Sequence, residues 1–282
     1  MLLIDLLIKN SKIYREIRLL RPAIGAIIKG DIKPLLTFLR YLTLRNNVTD
    51  KDAGILILAF YFGGYNISGQ VLSLLLNERP VIFETFDKCK FYINHRSELI
   101  NIGLYFHEME TFKFIMKQIK NCKVFVDVGA NIGGYSIRAA KYCKVYAIEP
   151  LPRNYKILKI NEKLNNVKIN SFNIAAGNKN GKVKLFYEPG AWGLPSLKHK
   201  QKEFIEVEMK PLDEIINEES IDLIKIDVEG AEDLVEGARD CLKRTKMVII
   251  EGNDSFPRAY RILKEEDFKL KKFLDHNVLF TK

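Results

Sequence analysis

Val124–Gly134 reads VFVDVGANIGG, and the fold turns on how this stretch is read. The β-branched and aromatic run Val124, Phe125, Val126, with Val128 behind Asp127, predicts a buried parallel strand, and the glycines after it deliver the chain straight into a helix. A strand ending on such a turn predicts a nucleotide-cofactor site. A dinucleotide fingerprint needs glycine at its first, third and sixth positions; here Gly129 and Gly134 fill the outer two and Asn131 stands in the middle. Asp127, just before the turn, sets a carboxylate where a helix N-terminus would receive phosphate, and like charges oppose a pyrophosphate. A ligand carrying an ammonium and a sulfonium is favoured by the same carboxylate, and S-adenosylmethionine is such a ligand. Glu149, at the end of the strand predicted over Lys144–Ile148, stands about 20 residues on, where an acid can accept from ribose hydroxyls. A glycine turn that merely joined strand to helix would leave that acid unexplained.

The length of 282 residues and a hydrophobic share of 47% allow one substantial core plus an appendage. The natural division is a mainly helical, basic N-terminal extension over 1–95 and one larger domain over 96–282. Cys89, Cys122, Cys143 and Cys241 are scattered, with no C-x-x-C pair and no paired spacing with histidine, so reduced, packed thiols in a cytoplasmic protein are expected.

The net charge of +10 is uneven, with nine Lys or Arg against three acids in residues 1–45. Leu2, Leu3, Leu6 and Leu7, then Ile13, Ile17, Leu20 and Ile24, recur at helical spacing among those cations. A basic amphipathic helix of this kind can lie on an anionic membrane surface or cap a neighbouring domain, and ordinary solvated helices are the plainer alternative. The opening MLLIDLLIK is broken by Asp5 and ended by Lys9, unlike a signal peptide. Ala53–Asn77 is uncharged, but its Gly63-Gly64-Tyr65-Asn66 centre is turn-like, so two short buried elements are expected there rather than a membrane span.

From residue 108 the pattern alternates. A helix over 108–120 precedes the cofactor strand 124–128, followed by helix 133–142, strand 144–148, helix 152–164 and strand 168–173. Strand signals at 182–187 and 204–209 lead to a short helix 211–216, strand 222–226, helix 231–238 and strand 246–251. A helix after Pro257 and two short strands, 269–273 and 277–280, close the chain as a hairpin. This predicts a doubly wound parallel α/β sheet.

VFVDVGANIGGYS (124–136), YAIEPLPRNYKILKINEKLN (146–165), IAAGNKNG (174–181), PLDEI (211–215) and DLIKIDVEGAEDLVEGA (222–238) together resemble the FkbM family of S-adenosylmethionine-dependent methyltransferases, over roughly residues 100–252. The resemblance implies the class I methyltransferase sheet, Rossmann-like, in strand order 3-2-1-4-5-7-6 with the last strand antiparallel. It also implies methyl transfer to a hydroxyl oxygen, often of a sugar or natural product.

On that reading Gly129, Asn131 and Gly133 form the turn over the methionine part of S-adenosylmethionine, Asp127 lies near its ammonium, Glu149 holds the ribose, and Asn173 and Ala175, at the end of the third strand, adjoin the adenine. Asp227 and Glu229 follow the fourth strand at the switch-point crevice and are the candidate catalytic acids, with His107 of YFHEME as a further candidate on the acceptor side. Asp227, Glu251 and Asn253 would be neighbours at strand ends, and their oxygens resemble a Mg2+ site; first-turn acids capping helix 231–238 are the alternative. The expected acceptor is a sugar, glycan or glycolipid hydroxyl. An RNA methyltransferase acting on ribose or base is the competing reading, favoured by the basic charge, with nucleic acid as partner. Against base amines, the position after the fourth strand reads IDVEGAE where an Asn/Asp-Pro-Pro-aromatic motif would be needed; against C5 chemistry, no cysteine ends a central strand.

Overall fold

The computed structural model describes residues 80–85, 87–94, 98, 108–189, 195–197, 201–228, 232–252 and 256–282. The helices expected in residues 1–45 and the uncharged stretch Ala53–Asn77 lie outside these. Among the described residues no helix is long and apolar enough to cross a membrane.

A hairpin of β1 (Val81–Glu84) and β2 (Lys90–Ile93) comes first, followed by helix α1 (Met109–Gln118). The central elements are β3 (Val124–Val128), α2 (Ser136–Ala139), β4 (Lys144–Ile148), α3 (Pro152–Leu164) and β5 (Asn170–Phe172). A second group is β6 (Ala175–Gly177), β7 (Gly181–Tyr187), β8 (Glu203–Pro211) and α4 (Leu212–Ile215). The chain ends through β9 (Ile221–Ile226), a 3₁₀ segment (Glu232–Ala238), α5 (Arg239–Lys243), β10 (Thr245–Glu251), α6 (Phe256–Glu265), β11 (Lys269–Leu274) and β12 (Asn277–Thr281).

Seven strands form one sheet in the order β11-β12-β10-β9-β3-β4-β5. Read from the β5 edge in chain order of these strands, this is 3-2-1-4-5-7-6. β9, β3, β4, β5 and β10 run parallel, and β12 is antiparallel to both β10 and β11. The apolar runs end up central because a parallel strand covered on both faces has no polar side to show: every residue of β3 and of β9 is buried. Strand alternation divides the core. Phe125, Val145, Ala147, Leu223 and Ile249 face α1, α3 and the β1–β2 hairpin, while Val126, Ile148, Ile224 and Ile250 face the 3₁₀ segment, α5 and α6.

The elements depart from expectation in three places. Helix 133–142 shrinks to α2, because Gly133 has φ +92°, outside the helical basin, and the chain turns again at Lys141–Cys143 to enter β4. The expected helix 231–238 is 3₁₀ over Glu232–Ala238, with a non-helical Gly237 inside it. The third strand stops at Phe172, and Ala175 opens a separate three-stranded sheet, β6-β8-β7, with its own small core of Leu151, Ala175, Leu185 and Val207. The β1–β2 hairpin lies before residue 96, yet its Cys89, Phe91 and Ile93 are buried in the same core as Phe125 and Leu158.

Candidate functional site

The register aligns the strand ends. Val128 pairs with Ile148 on one side and Ile226 on the other, Ile148 with Phe172, and Ile226 with Ile250. Gly129, Glu149, Asn173, Asp227 and Glu251 therefore each stand one residue on, along the carboxyl edge of the sheet, where open α/β sheets bind ligands.

The turn after β3 is tightly determined. The N–H groups of Gly129 and Ala130 both donate to Ile148 O at 3.0 Å, Gly133 N–H donates to Ala130 O at 2.8 Å, and Asn131 takes φ +51°. Gly129 has φ +84°, and a Cβ there would lie 1.8 Å from the Asp227 carbonyl oxygen, so the close approach of the β3 and β9 ends requires glycine. Asn131 N–H donates to Glu149 Oε2 at 2.8 Å and Leu151 N–H to Glu149 Oε1 at 2.9 Å. Glu149 is buried, and burial pushes its carboxyl up to about 7 against those two N–H donors, with the charge of Asp127 adding to the rise. These two N–H donors and the Asn154 side chain still leave acceptor capacity on a carboxylate, which is what a pair of ribose hydroxyls requires. Asn173 sits beside it, its Nδ2 donating to the carbonyls of Glu149 (2.9 Å) and Pro150 (3.0 Å).

A second constellation lies on the face shared by Asp127 and Lys225, which pair across β3 and β9. Asp127 is buried; Ser136 Oγ donates to its Oδ2, while its buried Oδ1 has no hydrogen-bond partner among the described residues. An orphan acceptor at that point fits an ammonium donor. Burial raises the Asp127 carboxyl above its usual range, although Lys225 and Ser136 pull the other way. The Lys225 ammonium is buried as well. It donates to Asp227 Oδ2 at 2.7 Å and lies 5.0 Å from the centre of the Tyr135 ring. Burial opposes its charge, but Asp227, Glu108 and Asp127 outweigh that and hold the ammonium above its ordinary range. Lys225 was not singled out from sequence; its signal is a lone cation in the buried strand of DLIKID (222–227).

The expected site residues therefore fall into groups. Asp127, Gly129, Asn131, Gly133, Glu149, Asn173 and Asp227 meet around the ends of β3, β4, β5 and β9. Ala175 does not belong to the third strand: it is buried in β6, paired with Met209, because the sheet edge is already complete at Phe172. Glu229, His107 and Asn253 lie outside the described residues. Asp227 and Glu251 end adjacent strands, but among the described residues no group of three or more His, Cys, Asp or Glu could hold a metal ion, so the Mg2+ reading lacks its ligand set there. All four cysteines are free thiols; burial pushes Cys122 up to about 11 and Cys143 and Cys241 each up to about 12, which makes poor nucleophiles of them.

A family model described as the FkbM methyltransferase domain matches residues 127–271. No curated protein matches the chain. Similar solved structures include M. jannaschii TYW2 in complex with AdoMet (18% identity, 72% of this chain and 86% of that one, TM-score 0.41). The M. jannaschii tRNA m1G37 methyltransferase is another (16% identity, 72% of this chain and 56% of that one, TM-score 0.41). A third is the Pyrococcus abyssi tRNA (uracil-54, C5)-methyltransferase in complex with S-adenosyl-L-homocysteine (14% identity, 72% and 43%, TM-score 0.45). The architecture here rests on the sheet order itself.

Proposed function

The chain belongs to the FkbM methyltransferase-domain family, and we propose that it moves the methyl group of S-adenosylmethionine to a hydroxyl oxygen of a sugar, glycan or glycolipid. The observation that carries this reading is the charged pair Lys225–Asp227, set beside the cofactor turn at the end of β9. When bound, S-adenosylmethionine supplies a methyl group on a sulfonium, open to in-line displacement. What the chain supplies is position and proton removal. Glu149 accepts from the ribose hydroxyls, Asp127 Oδ1 from the ammonium, and the turn Gly129–Gly133 fixes the distance between them. Asn173 keeps the β4 end in place beside the adenine. On the acceptor side Lys225 orients Asp227, which already spends one oxygen on that ammonium. Glu229, two residues on, then takes the hydroxyl proton, with His107 as the alternative.

The thiols support oxygen over base C5 as acceptor, since C5 chemistry needs a thiolate and these cysteines are held protonated. Free cysteines also suit a cytoplasmic setting. We further propose that the cations of residues 1–45 bring the enzyme to an anionic membrane surface, and that the catalytic unit begins at β1 rather than at residue 96. The core shared by Phe91, Ile93 and Phe125 supports the latter boundary.

Labelled methyl transfer to fractionated glycolipid, glycan and RNA pools tests the acceptor. Label in the sugar-bearing pools supports the proposal; label confined to RNA overturns it in favour of an RNA methyltransferase. Glu229→Gln keeps size and removes the charge, so it should lower kcat by about 100-fold while cofactor affinity stays nearly intact. Near-normal turnover would move the base to His107.

A further inference from the structure

Two carbonyls of the cofactor turn are held by side chains whose other ends grip the β1–β2 hairpin. Asn161, fully buried on α3, donates from Nδ2 to Ile132 O at 2.8 Å and accepts from Tyr92 N–H at its Oδ1, at 2.6 Å. Arg138, buried on α2, donates from Nη1 to Gly134 O at 2.7 Å and from Nε to Asp87 Oδ2 at the hairpin tip. Its guanidinium lies 5.1 Å from the Phe91 ring centre and 5.3 Å from that of Phe112. Asp87 is in turn fixed by the hairpin's own turn, where Thr85 N–H donates to Cys89 O at 2.8 Å and Lys88 N–H to Thr85 O at 2.9 Å. Burial works against the Asp87 charge, yet Arg138 and Thr85 hold its carboxyl below the usual range.

We infer that the hairpin 81–93 is the brace of the cofactor turn, and that Arg138 and Asn161 are positioning residues that transmit it. Because the peptide unit is planar, fixing the carbonyls of Ile132 and Gly134 fixes the planes of the peptides that follow, and so the directions of the amides through Tyr135. Neither side chain can hold its carbonyl without the hairpin. A buried guanidinium stripped of Asp87 is an uncompensated charge, and a buried Asn161 stripped of Tyr92 N–H has an unsatisfied oxygen. Coupling of this kind is reciprocal: cofactor bound at the turn steadies the hairpin by as much as the hairpin favours the cofactor. Packing alone would not require it, since Asn165 already clasps the hairpin from outside, exchanging hydrogen bonds with the N–H (2.8 Å) and carbonyl (2.6 Å) of Lys90 without touching the turn.

The inference rests on the proposed cofactor reading for its binding arm only, and the test separates the two. In the full-length chain, Asp87→Asn and Asn161→Asp remove one grip each, while Asn165→Ala removes only the outer clasp. Hydrogen exchange of the Gly129–Tyr135 amides, followed without ligand, should quicken about tenfold in the first two and stay unchanged in the third. S-adenosylhomocysteine affinity, measured by calorimetry, should fall by about tenfold in the same two, the ordinary size of a coupling between sites. If exchange and affinity in Asp87→Asn match those of Asn165→Ala at equal loss of melting temperature, the hairpin is only a cover and the inference is wrong. Should Asn161→Asp fail to fold, Asp87→Asn decides, because its side chain sits at the half-exposed tip. A wild-type chain that binds no S-adenosyl ligand sinks the proposed function, and the exchange data still decide whether the hairpin braces the turn.

Discussion

At the amino end of the sheet, Asp222 accepts from the backbone N–H groups of Lys123 (2.6 Å) and Val124 (3.0 Å) and from Lys246 Nζ (2.7 Å). Burial opposes its charge, but these partners win and hold its carboxyl below the usual range. At the carboxyl end, Asp127 and Glu149 are more deeply buried and lie above their usual ranges, because burial there outweighs the donors supplied. One sheet thus keeps an acid whose donors outweigh burial at one end and acids whose burial outweighs their donors at the other. The first kind ties strands together. The second costs stability unless something else supplies the missing donors, and acids in that condition mark functional sites.

The largest test of this contrast concerns the cations. Lys225 is buried among Asp227, Glu108 and Asp127, whereas Lys246 is 64% exposed beside Asp222. Lys225→Met leaves buried carboxylates without their cation and should cost about 3–5 kcal/mol of stability, read from urea midpoints. Lys246→Met should cost less than about 1 kcal/mol, because solvent already screens that pair. Equal losses would break the distinction between the two ends.

A middle-sized test exchanges the acids. Glu149→Gln keeps the shape and one acceptor oxygen, and should weaken S-adenosylhomocysteine binding by about 1–3 kcal/mol with little loss of melting temperature. Asp222→Asn should do the reverse, losing about 1–2 kcal/mol of stability with affinity unchanged within about twofold. Calorimetry and thermal melts on the same two proteins check both. An affinity loss in Asp222→Asn would mean that the amino end is not merely structural.

How far this arrangement could be read from sequence follows from the same contrast. The parallel strands were legible because burial on both faces forces predominantly apolar runs, and β3, β4 and α3 fall where those runs and Pro152 predict. Glu149 was legible because its spacing from the turn is set by one helix and one strand, α2 and β4. Ser136, Arg138 and Asn161 were not, since each acts across a sequence gap through a partner that only the fold supplies, and Lys225, though bonded to Asp227 two residues on, meets Asp127 and Glu108 only through the fold. β1 and β6 escaped for a simpler reason: each has at most four residues, too few to show a period.

The most gradual effect, and the most diagnostic, is the response to pH. Asp222, with its pKa lowered on folding, stabilises the chain above its unfolded value near 3.8, and that contribution is lost only as pH falls further. Glu149, raised on folding to about 7, favours the fold fully below its unfolded value near 4.5, and that contribution is lost as pH rises through about 7. Between about pH 5 and 8, then, the amino end is constant and the carboxyl end drifts. Wild type should lose stability over this window relative to Glu149→Gln, by at most about 1.4 kcal/mol per pH unit. Cofactor affinity should move the opposite way, because the ionised carboxylate has more acceptor sites for ribose hydroxyls than the protonated acid. It should therefore rise by up to about tenfold per unit below pH 7 and level off above it. Urea midpoints at pH 5.5 and 8, with S-adenosylhomocysteine titrations at both, measure the two slopes. If wild type and Glu149→Gln respond alike in both, Glu149 ionises as an ordinary surface acid would, and the carboxyl end holds its acids no differently from the amino end.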